Sequence, residues 1–118
     1  MTEITPEDIF KIHSRIRWVG LASERGEVIF AKQRNGLKSL SPEDAEYSFM
    51  QMGPLLVTSI CERMSPWTGS VGSIVVNYDK LTSLIMRVKD GYLALTVDKE
   101  ETPQRILEIA KSIKKWAP

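Results

Sequence analysis

The most regular hydrophobic spacing lies near the C-terminal end of the chain. Ile106, Ile109, Ala110, Ile113 and Trp116 recur at intervals of three and four, and Glu108, Lys111, Ser112 and Lys115 take the opposite side. This is the pattern of a helix that packs one face on a core, and it predicts a helix over residues 103–116. A first helix is predicted over residues 6–15, with Ile9, Phe10, Ile12 and Ile16 along its apolar side and Ile4 placed as a staple. A middle helix is predicted over residues 42–64. All three begin with Ser or Thr before Pro: Thr5-Pro6, Ser41-Pro42 and Thr102-Pro103. The hydroxyl is placed to cap free amides, and proline suits the following position, where no amide hydrogen is needed.

The middle helix differs from the other two. At 100° per residue, Met52, Ala45, Leu56, Phe49 and Ile60 fall on one arc, continued by Gly53, Met64, Val57, Met50 and Cys61, with Glu46 interrupting near one end. That arc covers roughly half the circumference, wider than the ~100° stripe a surface helix needs. Gly53-Pro54 at its centre is expected to kink or split the helix.

Five strands are expected. Trp18-Val19-Gly20-Leu21-Ala22 and Val28-Ile29-Phe30-Ala31 flank a turn containing Gly26, the pattern of a hairpin. After a loop of Ser65-Pro66-Trp67-Thr68-Gly69-Ser70 come candidate strands over residues 71–78, 81–88 and 92–98, with Asp79-Lys80 and Lys89-Asp90-Gly91 as turns. Leu84, Met86 and Val88 share one face of their strand, as do Leu93, Leu95 and Val97 of the next. The opposite faces carry Ser83 and Ile85, then Tyr92, Ala94 and Thr96. Both faces are partly apolar, as in a sheet covered on both sides. The order α-β-β-α-β-β-β-α predicts one α/β (α+β) domain over residues 1–118, with a five-stranded antiparallel sheet. The first and last helices should share one face, with the middle helix on the other.

This order, and two segments in particular, resemble the roadblock branch of the roadblock–longin (profilin-like) fold. Residues 19–31 (Val19-Gly20-Leu21-Ala22-Ser23-Glu24-Arg25-Gly26-Glu27-Val28-Ile29-Phe30-Ala31) are similar to that family's first hairpin. Residues 84–97, from Leu84-Ile85-Met86-Arg87-Val88 to Leu93-Ala94-Leu95-Thr96-Val97, are similar to its last hairpin, before the closing helix. The resemblance implies a non-catalytic homodimer, or a heterodimer with a related roadblock-like chain. It also implies a role as a scaffold or as a regulator of a small GTPase or motor. In that family the middle helix and third strand commonly meet their counterparts across a two-fold axis.

The residues support part of this independently. The wide arc of the middle helix asks for a second surface besides its own sheet, and a contiguous exposed patch of that size marks an interface. The third strand, with Val71, Ser73 and Val75 on one side, lacks the charges that protect a free edge. Met50, Pro54, Val57, Cys61, Met64, Val71, Ser73 and Val75 are therefore the interface candidates. The competing reading is a middle helix sandwiched wholly within one subunit.

Charge and composition narrow the partners. With 16 Lys and Arg against 15 Asp and Glu, the net charge is +1, without the basic excess of a nucleic-acid binder. Lys111, Lys114 and Lys115 read as a solvated helix end. No apolar run approaches the ~20 residues that span a bilayer. The acidic start, Met1-Thr2-Glu3-Ile4-Thr5-Pro6-Glu7-Asp8, is unlike a signal peptide. Cys61 is the only cysteine, so no intrachain disulfide forms, and a cytoplasmic setting is expected.

Catalytic chemistry is hard to find. His13 is the only histidine, and a metal site needs three or four ligands. Cys61 has no Cys-x-x-Cys partner. Gly69-Ser70-Val71-Gly72-Ser73 lacks the lysine and spacing of a phosphate loop. No cofactor is expected. Trp67 reads equally as a partner anchor or as a cap on one end of the core. The alternative function is a small-molecule sensor holding its ligand between sheet and helices, with Met50, Met52, Met64 and Met86 lining an adaptable pocket.

Overall fold

The computed structural model describes residues 4–89, 91–99 and 101–116. The elements in chain order are α1 (Pro6–Phe10), β1 (Ile16–Ala22), β2 (Val28–Gln33), α2 (Glu43–Glu62), α3 (Ser65–Thr68), β3 (Ile74–Asn77), β4 (Leu81–Val88), β5 (Gly91–Asp98) and α4 (Pro103–Trp116). The five strands form one antiparallel sheet in the order β2-β1-β5-β4-β3.

Strand alternation divides the core in two. On one face, Val19, Leu21, Leu84, Met86, Val88, Leu93, Leu95 and Val97 pack against Ile9 of α1 and the Ile106–Ile109–Ala110–Ile113 stripe of α4. Ile4, placed as a staple by the sequence, is a member of the same cluster as Ile9. On the other face, Trp18, Ala22, Ile85 and Ala94 pack against Met50 of α2, with Phe49 beside it. The expected two-sided sheet, with α1 and α4 sharing one face and α2 on the other, is what the chain adopts.

Local chemistry explains where the elements end. Thr5 accepts a hydrogen bond from the Asp8 amide at the start of α1, and Thr102 accepts one from Arg105 at the start of α4. Ser41 does not cap α2. Its hydroxyl, like that of Ser39, donates to the Glu46 carboxylate, and Pro42 occupies the N-cap. The first helix is half the expected length because Arg34, beyond β2, terminates it. The Arg34 guanidinium donates to the carbonyls of Phe10 (2.8 Å), His13 (2.8 Å) and Ile16 (2.6 Å) and lies over the Phe10 ring. These carbonyls would otherwise need the next helical turn. β1 then begins at Ile16, earlier than the hydrophobic run suggested.

In the β1–β2 turn, the Ser23 hydroxyl accepts from the amides of Arg25 and Glu27, and Gly26 adopts φ 84°. A side chain at Gly26 would meet the Gln51 carbonyl of α2 at 2.6 Å, so the hairpin tip rests on that helix. Asp90 of the expected β4–β5 turn lies outside the described residues, as does the side chain of Trp116.

Two exposed ion pairs fasten neighbouring elements. Lys32 hydrogen-bonds Glu7 and thereby holds its carboxyl below the usual carboxylate range. Glu24 hydrogen-bonds Arg87 and raises its pKa further. Their contribution is that of exposed surface pairs, small and weakened further by salt.

Candidate self-association surface

α2 runs from Glu43 to Glu62 with Pro54 inside it, so of the two expected effects of Gly53-Pro54, a kink or a split, the split does not occur. Its residues sort into rows four apart. Met50, Pro54 and Thr58 are buried on the sheet. Phe49, Gly53, Val57 and Cys61 are half-buried. Met52, Leu56, Ile60 and Met64 face outward, Ile60 at 66% exposure. The helix docks through the Met50 row because the sheet beneath is shallow there. Gly20, Ala22, Ala31 and Ala94 carry little or no side chain. A Cβ at Gly20 would lie 2.6 Å from Trp18 Cη2 and 2.8 Å from Met50 Sδ.

This placement corrects two interface candidates. Met50, 1% exposed, and Pro54 belong to the seam within the chain. Val57 and Cys61 sit on the margin between seam and outward face, and Met64 is exposed. Met52, Leu56 and Ile60, which the wide arc included without singling out, form the centre of the outward row. The missed signal was charge: residues 47–61 contain no Asp, Glu, Lys or Arg, although one side of that stretch faces outward.

The third strand is also shorter than expected. β3 covers only Ile74–Asn77, so Val71 and Ser73 lie outside it, half-buried. The cause is a local bond. The Glu62 carboxylate at the end of α2 accepts from the Val71 amide, drawing this segment toward the helix. Ile74 and Val76 face the α2 side of the sheet, and Val75 is exposed on the other. β3 remains an edge strand without a charged residue. α3 replaces part of the expected loop and holds Trp67 at 78% exposure, which removes the reading in which Trp67 caps the core.

The expected methionine-lined pocket is absent as drawn. Met50 and Met86 are buried on opposite faces of the sheet, while Met52 and Met64 point outward. Among the described residues, no three His, Cys, Asp or Glu side chains gather as a metal site would require, and no helix is long and apolar enough to cross a membrane.

Among the described residues, one fully occluded polar side-chain atom stands without a partner: the Thr58 hydroxyl, beneath α2 one turn after Pro54. An unsatisfied buried hydroxyl costs about 1–3 kcal/mol. Thr58→Val keeps the shape and β-branching while removing that group. We expect it to stabilise the protein by about 1 kcal/mol, read as a higher midpoint in thermal unfolding. A lower midpoint would mean that the hydroxyl has a partner in solution.

A five-stranded antiparallel sheet in this order, with two helices on one face and a long central helix on the other, defines the roadblock–longin fold. Solved structures place the chain within it. A Roadblock/LC7 domain from Streptomyces avermitilis superposes with TM-score 0.64 at 14% identity, covering 93% of this chain and 92% of that one. The gliding protein MglB from Thermus thermophilus gives TM-score 0.61 at 14% identity over 94% of this chain and 86% of that one. MglC from Myxococcus xanthus gives 0.52 at 15% identity over 92% and 98%. No protein-family model matches the sequence, and no curated protein is significantly similar to it.

Proposed function

We propose that the protein is a non-catalytic, dimeric regulatory or scaffold module working in the cytoplasm. Two copies, or this chain and a related roadblock-like one, pair through the outward row of α2 and the free edge of β3. The composite surface then receives a protein partner, for which a small GTPase is the candidate class. The observation that carries this reading is the uncharged outward face of α2, with Met52, Leu56, Ile60 and Met64 exposed in one row. A contiguous apolar patch on a polar-rimmed surface is the mark of a protein interface. The short, uncharged β3 offers backbone groups to a second sheet. The likeness to MglB, which has been solved in a tetrameric arrangement, favours self-association. The GTPase follows from the roadblock resemblance.

The test is Leu56→Asp combined with Ile60→Asp. Both side chains are exposed, so the fold should lose no more than about 0.5 kcal/mol per site. Two carboxylates facing their counterparts across an axis should abolish the dimer. The expected result is a folded monomer by sedimentation and circular dichroism. This variant should also fail to bind any small GTPase of the same organism that the native chain captures in a nucleotide-dependent way. An unchanged mass would refute pairing through α2. A lost dimer with retained GTPase binding would refute the composite surface alone.

A further inference from the structure

The α2 face of the sheet has two unlike halves. One transverse row runs Ala31–Gly20–Ala94–Ile85–Ile74 across all five strands, and α2 packs over it. The next row toward the other end of the sheet runs Gln33–Trp18–Thr96–Ser83–Val76. Its first four members all carry hydrogen-bonding side chains, and α2 covers them only in part, through Met50 against Trp18 and through Phe49. They floor a cavity of about 550 Å³, within the range of small-molecule sites. Leu81, on the same face of β4 as Ser83, extends the floor, and Leu40, Ala45, Phe49 and Tyr78 line the rest.

Two features point to a ligand. Ser83 is 4% exposed and Trp18 is 6% exposed, yet neither the Ser83 hydroxyl nor the Trp18 indole N–H has a partner among the described residues. Buried polar groups normally find one. These two line the cavity without being sealed from it, since among the described residues only the Thr58 hydroxyl is both fully occluded and unbonded. Second, the charged side chains that line the cavity, Arg17, Lys80, Glu46 and Asp79, sum to zero. Arg17 pairs with Asp98 at 2.9 Å, Glu46 accepts from Ser39 and Ser41, and Asp79 and Lys80 are adjacent and opposite. The cavity therefore has no net demand for a charged ligand.

We infer that this cavity binds an uncharged, planar heteroaromatic molecule of two or three fused rings. Its hydrogen-bonding edge meets Ser83, Thr96 and Trp18, and its faces lie against Phe49 and Leu81. Trp18 leans along its strand over Gly20, whose missing Cβ makes the room, so the indole offers a broad surface on the floor. Phe49 is placed likewise, with its ring 2.9 Å from where a Cβ of Gly53 would stand. Aromatic contact of this kind adds to plain area burial. The site is separate from the outward row of α2, so it extends the regulatory reading by giving the module a small-molecule input.

The test uses two probes, hypoxanthine and quinazolin-4-one, titrated into nitrogen-15-labelled protein and followed by NMR. Binding should move the Trp18 indole resonance and the Ser83 and Thr96 amides in a saturable way. The Trp67 indole, exposed on α3, should stay still. Thr96→Val removes one hydroxyl at constant shape and should weaken binding about tenfold. Ala45→Trp, at an exposed helix position on the wall, should abolish it by filling the mouth. Absence of saturable shifts with both probes overturns the inference, as does binding that either variant leaves unchanged. Repeating the titration on the Leu56→Asp, Ile60→Asp variant separates the two proposals: binding should persist there whether or not the native chain dimerises.

Discussion

Gly91→Ala is expected to lose about 4 kcal/mol of stability, enough to lower the melting temperature by about 10–20 °C. Two independent effects add at this position. Gly91 opens β5 at φ 146°, a conformation that residues with a Cβ rarely adopt, and holding one there costs about 1–3 kcal/mol. A Cβ would also drive into the Ala22 carbonyl oxygen and lie 2.9 Å from the Ser23 Cα. Both contacts are backbone atoms, at the end of β1 and in the residue that follows it, and Ala22 pairs with Tyr92 one residue further on, so neither yields without parting β1 from β5. Gly36→Ala is the control. Gly36 also has positive φ, 86°, but nothing lies within 4 Å of its would-be Cβ. It should lose only about 1 kcal/mol. Equal losses at the two sites would show that the approach to Ala22 adds nothing to the cost of the conformation.

Arg34→Ala should cost about 3 kcal/mol, read by urea unfolding. Its guanidinium gathers three carbonyls from the α1–β1 junction, at 2.6 to 2.8 Å. Hydrogen bonds from a charged donor are worth about 1.5–3 kcal/mol each, and not all of that is lost where water can enter. Lys in the same place is a point donor without the planar fork, so Arg34→Lys should recover less than half. The Arg34 amide, which bonds the Arg17 carbonyl, is untouched by either change. A loss below about 0.5 kcal/mol, the range of ordinary surface substitutions, would mean that water serves these carbonyls equally well.

The same residue shows why part of the architecture was legible and part was not. α4 could be read directly because its apolar stripe faces a single partner surface, and β4 and β5 because alternation alone sorts Leu84, Met86 and Val88 from Ser83 and Ile85. The end of α1 could not, because the group that terminates it stands 24 residues from Phe10 in sequence. The truncation of β3 has a similar origin in the Glu62–Val71 bond.

For the candidate surface, the breadth of the apolar arc on α2 was visible, but its orientation was not. Which row turns inward is decided by small residues on three different strands, Gly20, Ala31 and Ala94, which come together only in the folded register. This is why the interface candidates include Met50 and Pro54 and leave out Ile60, although the arc contains it. The cavity floor is hidden for the same reason. Gln33, Trp18, Thr96 and Ser83 come from four strands and share nothing along the chain. The uncharged run over residues 47–61 was available from the sequence, and it would have picked out the outward face of α2 more sharply than hydrophobic spacing did.

The central claim is that the outward row of α2 is covered by a second copy or a related chain. Sedimentation equilibrium of the native chain alone, across micromolar to millimolar concentrations at physiological salt, tests it most directly. The expected result is a mass of twice the single chain that persists on dilution into the micromolar range, or a reversible monomer–dimer equilibrium approaching it. A single-chain mass at every concentration would contradict self-pairing.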